Sequence, residues 1–206
     1  MDRMYEQQEE EQEAVDGFRI SPQQKRAWLL RQPGAACGVH AALSVDGPLD
    51  CEALGRALDL VLERNEILST VLRRPPGLTI PVQVIGEPER HALEPVDLPA
   101  AELASRIAQG APLSSGPLGL ELLRLAADRH VLLVSLPASH GDPAGLADLT
   151  REIARAYAFC RGEGEAPPED RLQYADFAEW QIQMLESEES APGREHWSRR
   201  DTSRLG

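Results

Sequence analysis

The feature that most constrains the fold is an apolar run that leads through a short polar turn into an amphipathic helix, over residues 131–157. Residues 131–136, VLLVSL, form a dense apolar stretch of the length expected for a buried strand. After the turn at 137–145, apolar side chains recur at spacings of three and four residues, which predicts a helix with one buried face: Leu146, Leu149, Ile153 and Tyr157. Because rigid elements hold such a turn and its backbone N–H groups point outward, it is a common place for a functional site.

The rest of the chain alternates predicted strands with predicted helices. Ser21 followed by Pro22 is a typical helix start, and residues 50–65 have the pattern of an amphipathic helix. Further strands are predicted at 38–45, 67–72, 78–85 and 118–125, and further helices at 100–109 and 172–188. Strands interleaved with helices predict an α/β sandwich. The last polar residues, 191–206, are expected to fray.

Five stretches carry recognisable motifs: ISPQQ at 20–24, RNEILSTVL at 64–72, PLSSGPLGLELLRL at 112–125, the central stretch at 131–157, and YADFAEWQ at 174–181. In this order they resemble LSPxQ, RHExLRTxF, FDLxxGPLLRxxLLRL, HHxxxDG and YxDYAxWQ of the condensation domains of nonribosomal peptide synthetases, in the chloramphenicol-acetyltransferase-like family. The resemblance implies an α/β fold with a single chloramphenicol-acetyltransferase-like lobe, a mixed sheet flanked by helices. We expect this lobe at residues 18–190, between an acidic tail at 1–17 and a C-terminal tail at 191–206.

The HHxxxDG motif is broken under either of two alignments. The gapless alignment puts four residues on the two histidines, the Asp and the Gly, in that order: Pro137, Ala138, Asp142 and Pro143. An alignment slid by two residues, with an insertion, puts four others there: Ser139, His140, Ala144 and Gly145. The gapless alignment keeps the helix positions that the family expects but has alanine at the key histidine. The slid alignment recovers the second histidine but loses the Asp.

Two further departures concern the surroundings of the motif. In the family, an arginine of RHExLRTxF pairs with the motif Asp, and Ser69 stands at that position. The absence of this arginine should loosen the turn, because a buried carboxylate without its charge partner is costly. The family fold has two lobes with the reaction centre between them. A chain of 206 residues with 42% hydrophobic residues has room for a real core but only for the first lobe, so we expect a truncated domain with half a substrate tunnel.

The net charge and the cysteines limit the classes of binding partner and the cellular compartment that we expect. The net charge of −13 argues against nucleic acid or an anionic membrane surface as a partner, since both need basic patches. No apolar run approaches the ~18 residues of a membrane span, and the N-terminus lacks the features of a signal peptide. Cys37, Cys51 and Cys160 have no metal-ligand spacing and suit reduced thiols in the cytoplasm. The first 16 residues, rich in Glu and Gln, are either a solvated tail or an acidic docking segment for a basic patch on a partner synthetase.

His140 is the one residue of the turn that could carry chemistry. Near neutral pH an imidazole can take a proton from an attacking amine or hydroxyl. By resemblance, the acyl donor would be a thioester on the phosphopantetheine arm of a carrier protein, and the chain itself would bind no cofactor. Ser139 would then be a neighbouring donor and Asp142 would orient the imidazole. These three types also make up a hydrolase triad, but they are too close in sequence for its geometry. The alternative is a turn histidine without a catalytic role.

Three functional hypotheses follow. The first is a truncated, non-catalytic relative of the condensation domain in nonribosomal peptide or hybrid peptide–polyketide biosynthesis, which docks a carrier protein, a synthetase module or a tailoring enzyme. The second is an acyl or peptidyl transferase that uses His140, with the second lobe supplied by another chain or by a second copy in a homodimer. The third is a fragment whose natural C-terminal lobe is not part of this chain. A large exposed apolar face would favour a missing partner or a homodimer.

Overall fold

The computed structural model describes residues 17–30, 38–90, 93–113, 116–168 and 171–200. The first 16 residues, Cys37 and the last six residues therefore lie outside the described part of the chain. Six helices occur in the described part: α1 (Pro22–Leu30), α2 (Cys51–Arg64), α3 (Leu103–Gln109), α4 (Pro143–Cys160), α5 (Tyr174–Glu186) and α6 (Ala191–Ser198). The described strands are β1 (Phe18–Arg19), β2 (Gly38–Asp46), β3 (Thr70–Arg73), β4 (Val82–Ile85), β5 (Val96–Asp97), β6 (Gly119–Ala126) and β7 (Arg129–Pro137).

The described strands form two sheets. The larger sheet has the order β2-β7-β6-β5, and it is mixed because β5 runs parallel to β6 while the other pairs are antiparallel. The smaller sheet has the order β1-β4-β3 and is antiparallel throughout. Helices cover the larger sheet, which confirms the predicted α/β fold with a mixed sheet flanked by helices.

Strand β7 forms the centre of the core, because its side chains alternate between the two faces of the sheet. Leu132 and Val134 pack with the buried sides of α2 and α4. Val131 and Leu133 point the other way and pack with residues of α3 and its surroundings. A fully buried leucine contributes about 1.5–3 kcal/mol relative to an exposed one, so this strand holds the sheet and its helices together. Of the predicted buried face of α4, Leu146, Leu149 and Ile153 are buried, whereas Tyr157 is only partly buried. The amphipathic α2 buries Leu54, Leu58, Val61 and Leu62.

The structure corrects two predictions about local conformation. Residues 67–72 were expected to be a strand, but Glu66–Ser69 form a 3-10 turn and β3 begins only at Thr70. The Thr70 hydroxyl closes this turn by donating to the Glu66 carbonyl at 2.7 Å, which favours the turn over an extended chain. The C-terminal segment was expected to fray, but residues 191–198 form α6, all of whose residues are exposed.

A buried polar network connects α1 to the smaller sheet and to α5. The Gln24 backbone N–H donates to Ser21 Oγ at 3.1 Å, and the Ser21 N–H donates to Gln24 Oε1 at 2.9 Å, which is a capping box. Gln24 Nε2 also donates to Gln83 Oε1 at 3.0 Å, and Gln83 Nε2 donates to the Arg19 carbonyl at 2.9 Å. Ser21 Oγ shares a hydrogen bond of 2.8 Å with the Tyr174 hydroxyl. The SPxQ motif therefore fixes the start of α1 against β4 and α5.

No helix among the described residues is both long enough and apolar enough to cross a bilayer.

Candidate functional site

The turn from β7 to α4 is held by backbone pairing where it leaves the strand. Pro137, the last residue of β7, lies opposite Gly38 of β2. Its carbonyl accepts a hydrogen bond of 2.9 Å from the backbone N–H of His140, so the chain reverses within three residues. Ala138, at the tip of this turn, is exposed and presents only a methyl group. The end of the strand therefore carries no group that could act as an acid or a base.

Asp142 is the N-cap of α4. Its backbone is extended and its Oδ1 accepts a hydrogen bond of 2.8 Å from the Gly145 N–H, while Pro143 occupies the first turn of the helix. The residues of this first turn, Pro143, Ala144 and Gly145, are exposed. Asp142 forms no ion pair with any residue in the described ranges. Its carboxylate stabilises the helix start and is not a hydrogen-bond partner of His140.

Both ring nitrogens of His140 have partners. Nε2 lies 2.7 Å from the Thr70 carbonyl, and because a carbonyl only accepts, Nε2 carries the proton and donates it. Nδ1 then accepts from the Ser139 hydroxyl at 2.9 Å. Burial lowers the pKa of His140 below its ordinary value, and the hydrogen bond to Thr70 opposes this shift only in part. The imidazole is therefore neutral near pH 7, and the backbone of β3 orients it where Asp142 was expected to do so.

Ser69 lies beside this contact, at the position of the missing arginine. Its hydroxyl oxygen is buried and has no hydrogen-bond partner among the described residues. The described contacts hold the turn in place, and they do not indicate the expected loosening. Asp142 is satisfied by the backbone of its own helix, and His140 connects the turn to β3. A histidine-to-carbonyl bond and a helix cap thus stand where the family motif has an arginine–aspartate pair.

A cavity of 350 Å³ opens beside His140. Its walls come from the turn, the first half of α4, the 3-10 turn before β3 and the start of α5. Leu136 and Phe177 contribute apolar surface, while His140, Glu152 and Tyr174 contribute polar atoms. This is the size of a small ligand pocket, and His140 is the only imidazole among its lining residues.

Glu152 joins this cavity to a group of arginines. Its Oε2 accepts from the Arg171 guanidinium at 2.5 Å, and its Oε1 lies 3.6 Å from Arg64 Nε. The Asn65 side chain donates to the same Oε1 at 3.3 Å. The side chains of Arg64 and Glu152 are each only 15% exposed, so this pair is shielded from solvent. Sequence reasoning did not identify Arg64, Asn65 or Arg171 as site residues, and Glu152 was predicted only to lie in the helix after the turn. The RN of the RNEILS motif was the available signal.

Together, the fold and the turn define one lobe of a chloramphenicol-acetyltransferase-like protein. The chain belongs to the condensation-domain family, because the family model described as "Condensation domain" matches residues 16–205.

Curated relatives of this family are far longer than the present chain. Tyrocidine synthase 3 of Brevibacillus parabrevis is 30% identical over 192 residues, which are 90% of this chain and 3% of that protein. Chondramide synthase cmdD of Chondromyces crocatus is 35% identical over 184 residues, 81% of this chain and 5% of that protein. The chain thus spans only a few per cent of the synthases that it resembles.

Solved structures confirm the fold. The X-domain in the complex with OxyB from teicoplanin biosynthesis is 30% identical, with a TM-score of 0.72 over 84% of this chain and 40% of that chain. The starter condensation domain of the rhizomide synthetase RzmA has a TM-score of 0.75 at 19% identity, over 88% of this chain and 47% of that chain, and this similarity concerns the fold alone. The chain therefore spans less than half of each of these two structures.

Proposed function

We propose that this lobe is an interaction module of a nonribosomal peptide assembly system and does not itself transfer acyl groups. The gapless register supports this proposal. The motif Asp–Gly pair is followed by a helix in the family, and Asp142 and Pro143 are the cap and first residue of α4. In this register the exposed Ala138 stands at the position of the catalytic histidine, and Pro137 at that of its neighbour.

The observation that carries the proposal is the bonding of His140. A general base needs a free lone pair aimed at the proton that it removes. In this neutral ring only Nδ1 has an in-plane lone pair, and it accepts a hydrogen bond from the Ser139 hydroxyl. The other nitrogen, Nε2, donates to a backbone carbonyl. The lowered pKa of His140 also makes it a weaker base than an ordinary histidine. His140 is therefore a structural link between the turn and β3.

The relatives suggest which proteins this module meets. Its family is that of synthases with carrier proteins, and an X-domain of similar sequence has been solved in complex with OxyB. We infer a cytoplasmic partner of one of three kinds: a carrier protein with its phosphopantetheine arm, a synthetase module or a tailoring enzyme. The module itself holds no cofactor in this proposal.

A second candidate is an acyl or peptidyl transferase that uses His140, with the other lobe supplied by a separate chain. The position of His140 favours this candidate, since the ring lines the 350 Å³ cavity and forms a hydrogen bond with the Ser139 hydroxyl. This candidate requires the slid register, in which Ala144 stands at the position of the motif Asp and Gly145 matches the motif Gly. Asp142 would then have no place in the motif, although it is the residue that caps α4.

Acyl transfer measured by mass spectrometry tests the two candidates. A thioester-loaded carrier and an amine acceptor are incubated with the chain alone and with the chain plus the complementary half of an intact condensation domain. The intact domain is the positive control, and His140→Ala is the matched variant. We expect binding of the carrier or a tailoring enzyme by calorimetry, and no acceleration of transfer in either mixture. Transfer by the wild type that His140→Ala abolishes would establish the second candidate instead.

A further inference from the structure

A groove of 690 Å³ runs between α4 and the loop that follows this helix. One wall is the exposed side of α4, with Arg151 and Arg155, and the other is the loop around Pro167 and Pro168. Arg64 and Arg171 also line the groove. We call this feature the arginine groove. It shares Asp148, Glu152 and Arg171 with the cavity beside His140, so the two lie side by side.

The charges inside the arginine groove are only partly compensated. Glu152 is the common partner of Arg64 and Arg171, so one carboxylate faces two guanidinium groups. Arg151 pairs with Asp148 on its own helix. Arg155 is exposed and forms no ion pair with any residue of the described ranges. Among the described residues that line the groove, Glu165 is the one further carboxylate, so that four arginines face three acidic groups there.

This local excess of positive charge contrasts with the chain as a whole, which has a net charge of −13. Arg151 and Arg155 are four residues apart on one helix face, and the Arg151 charge is compensated by Asp148. Arg155 has no ion-pair partner among the described residues, so its guanidinium group is available to a charged group of another molecule.

We propose that the arginine groove binds the carboxylate side chains of an acidic segment of the partner protein. Guanidinium groups match carboxylates through paired N–H donors, so charge complementarity selects Asp and Glu side chains. The groove lies open along a helix, and its volume far exceeds that of one small anion, which favours an extended peptide over free phosphate. The inference rests on the proposed function, since it names the surface through which the interaction module recognises its partner.

A direct binding experiment on the full chain tests this inference. The probe is a fluorescein-labelled peptide of about twelve residues rich in Asp and Glu, and the neutral control peptide has Asn and Gln instead. Fluorescence anisotropy should show binding of the acidic peptide only, and the affinity should fall as salt rises from about 50 to about 300 mM. Arg155→Glu should lower the affinity about tenfold, because it replaces an attractive charge by a repulsive one.

Arg74→Glu is the matched control, because it changes the net charge equally at an exposed arginine that lies outside the groove. Thermal unfolding of each variant establishes that it is folded, and Arg151→Glu provides an independent second variant. Three results would overturn the inference: no binding by the wild type, an equal loss in Arg74→Glu, or full competition by millimolar phosphate. Binding only after Glu9, Glu10 and Glu11 are replaced by Gln would assign the groove to the N-terminal segment of this chain and also overturn it. None of these outcomes depends on the acyl-transfer assay, so the inference and the proposed function fail separately.

Discussion

Replacing Gln24 by leucine tests whether the SPxQ motif stabilises the lobe through its buried hydrogen bonds. Gln24 and Gln83 are each 1% exposed, and Ser21 is fully buried. The substitution leaves the Ser21 N–H and Gln83 Oε1 without partners, because both bond to the Gln24 side chain. Each orphaned buried group costs about 1–3 kcal/mol, and the added apolar surface offsets part of this. We therefore expect a loss of about 3 kcal/mol in the free energy of unfolding.

Thermal and urea unfolding monitored by circular dichroism measure this loss. For a chain of this size, about 3 kcal/mol corresponds to a fall in Tm of roughly 6–12 °C. Gln23→Leu is the matched control, because Gln23 is the exposed neighbour on the same helix and should change stability by about 0.5 kcal/mol or less. The double variant Gln24→Leu/Gln83→Leu should be less destabilised than the sum of the single variants, since neither amide is then left facing an apolar partner. Equal Tm values for Gln24→Leu and Gln23→Leu would refute the reasoning.

Three further predictions concern the site. Glu152→Gln should lower the free energy of unfolding, measured by urea unfolding, by about 1–2 kcal/mol. The reason is that two guanidinium groups, one of them shielded from solvent, lose their shared carboxylate. Ser69→Ala should leave Tm unchanged or raise it, since the lost hydroxyl is buried without a partner. The folded pKa of His140 is depressed, so its contribution to stability is fully present above pH ~6.5 and is lost as the pH falls from there through the folded pKa. His140→Gln should remove this part of the pH dependence of unfolding.

Controls for these predictions come from the same elements. Asp148→Asn, at an exposed carboxylate of the same helix, should cost about 0.5 kcal/mol or less, and a loss equal to that in Glu152→Gln would contradict the role given to shielding. A loss above about 1 kcal/mol in the free energy of unfolding for Ser69→Ala would mean that its hydroxyl has a partner. Parallel pH profiles for the wild type and His140→Gln would show that burial does not depress this pKa.

The central strand and its helices could be predicted from the sequence because their signals are local. The apolar run of β7 and the three-and-four spacing of α4 each specify one element without reference to the rest of the chain. The 3-10 turn at Glu66–Ser69 could not be predicted in this way. Ile67 and Leu68 resemble a strand, and the hydroxyl bond that closes the turn follows from no periodic pattern.

The turn between β7 and α4 was predictable, whereas the hydrogen bonds of its side chains were not. The turn after β7 was identified from its small and polar residues, and Asp142, Ser139 and His140 were identified as its polar groups. The partner of His140 is the carbonyl of Thr70, which is 70 residues away in sequence and meets the ring only when β3 is in place. A backbone acceptor has no side-chain signature, so no motif can indicate it.

The pairing of β2 with β7 has a consequence for how this lobe is made. Ala42 lies opposite Leu133, about 90 residues later in the sequence, so β2 pairs with its neighbour only after β7 has been synthesised. Until then, β2 and the apolar side of α2 have no sheet to pack against. Closing so long a loop is slow, because the conformational entropy of the loop is lost before the stabilising contacts form. Folding on the ribosome therefore waits for β7 and α4, and the lobe should form in one late step rather than element by element.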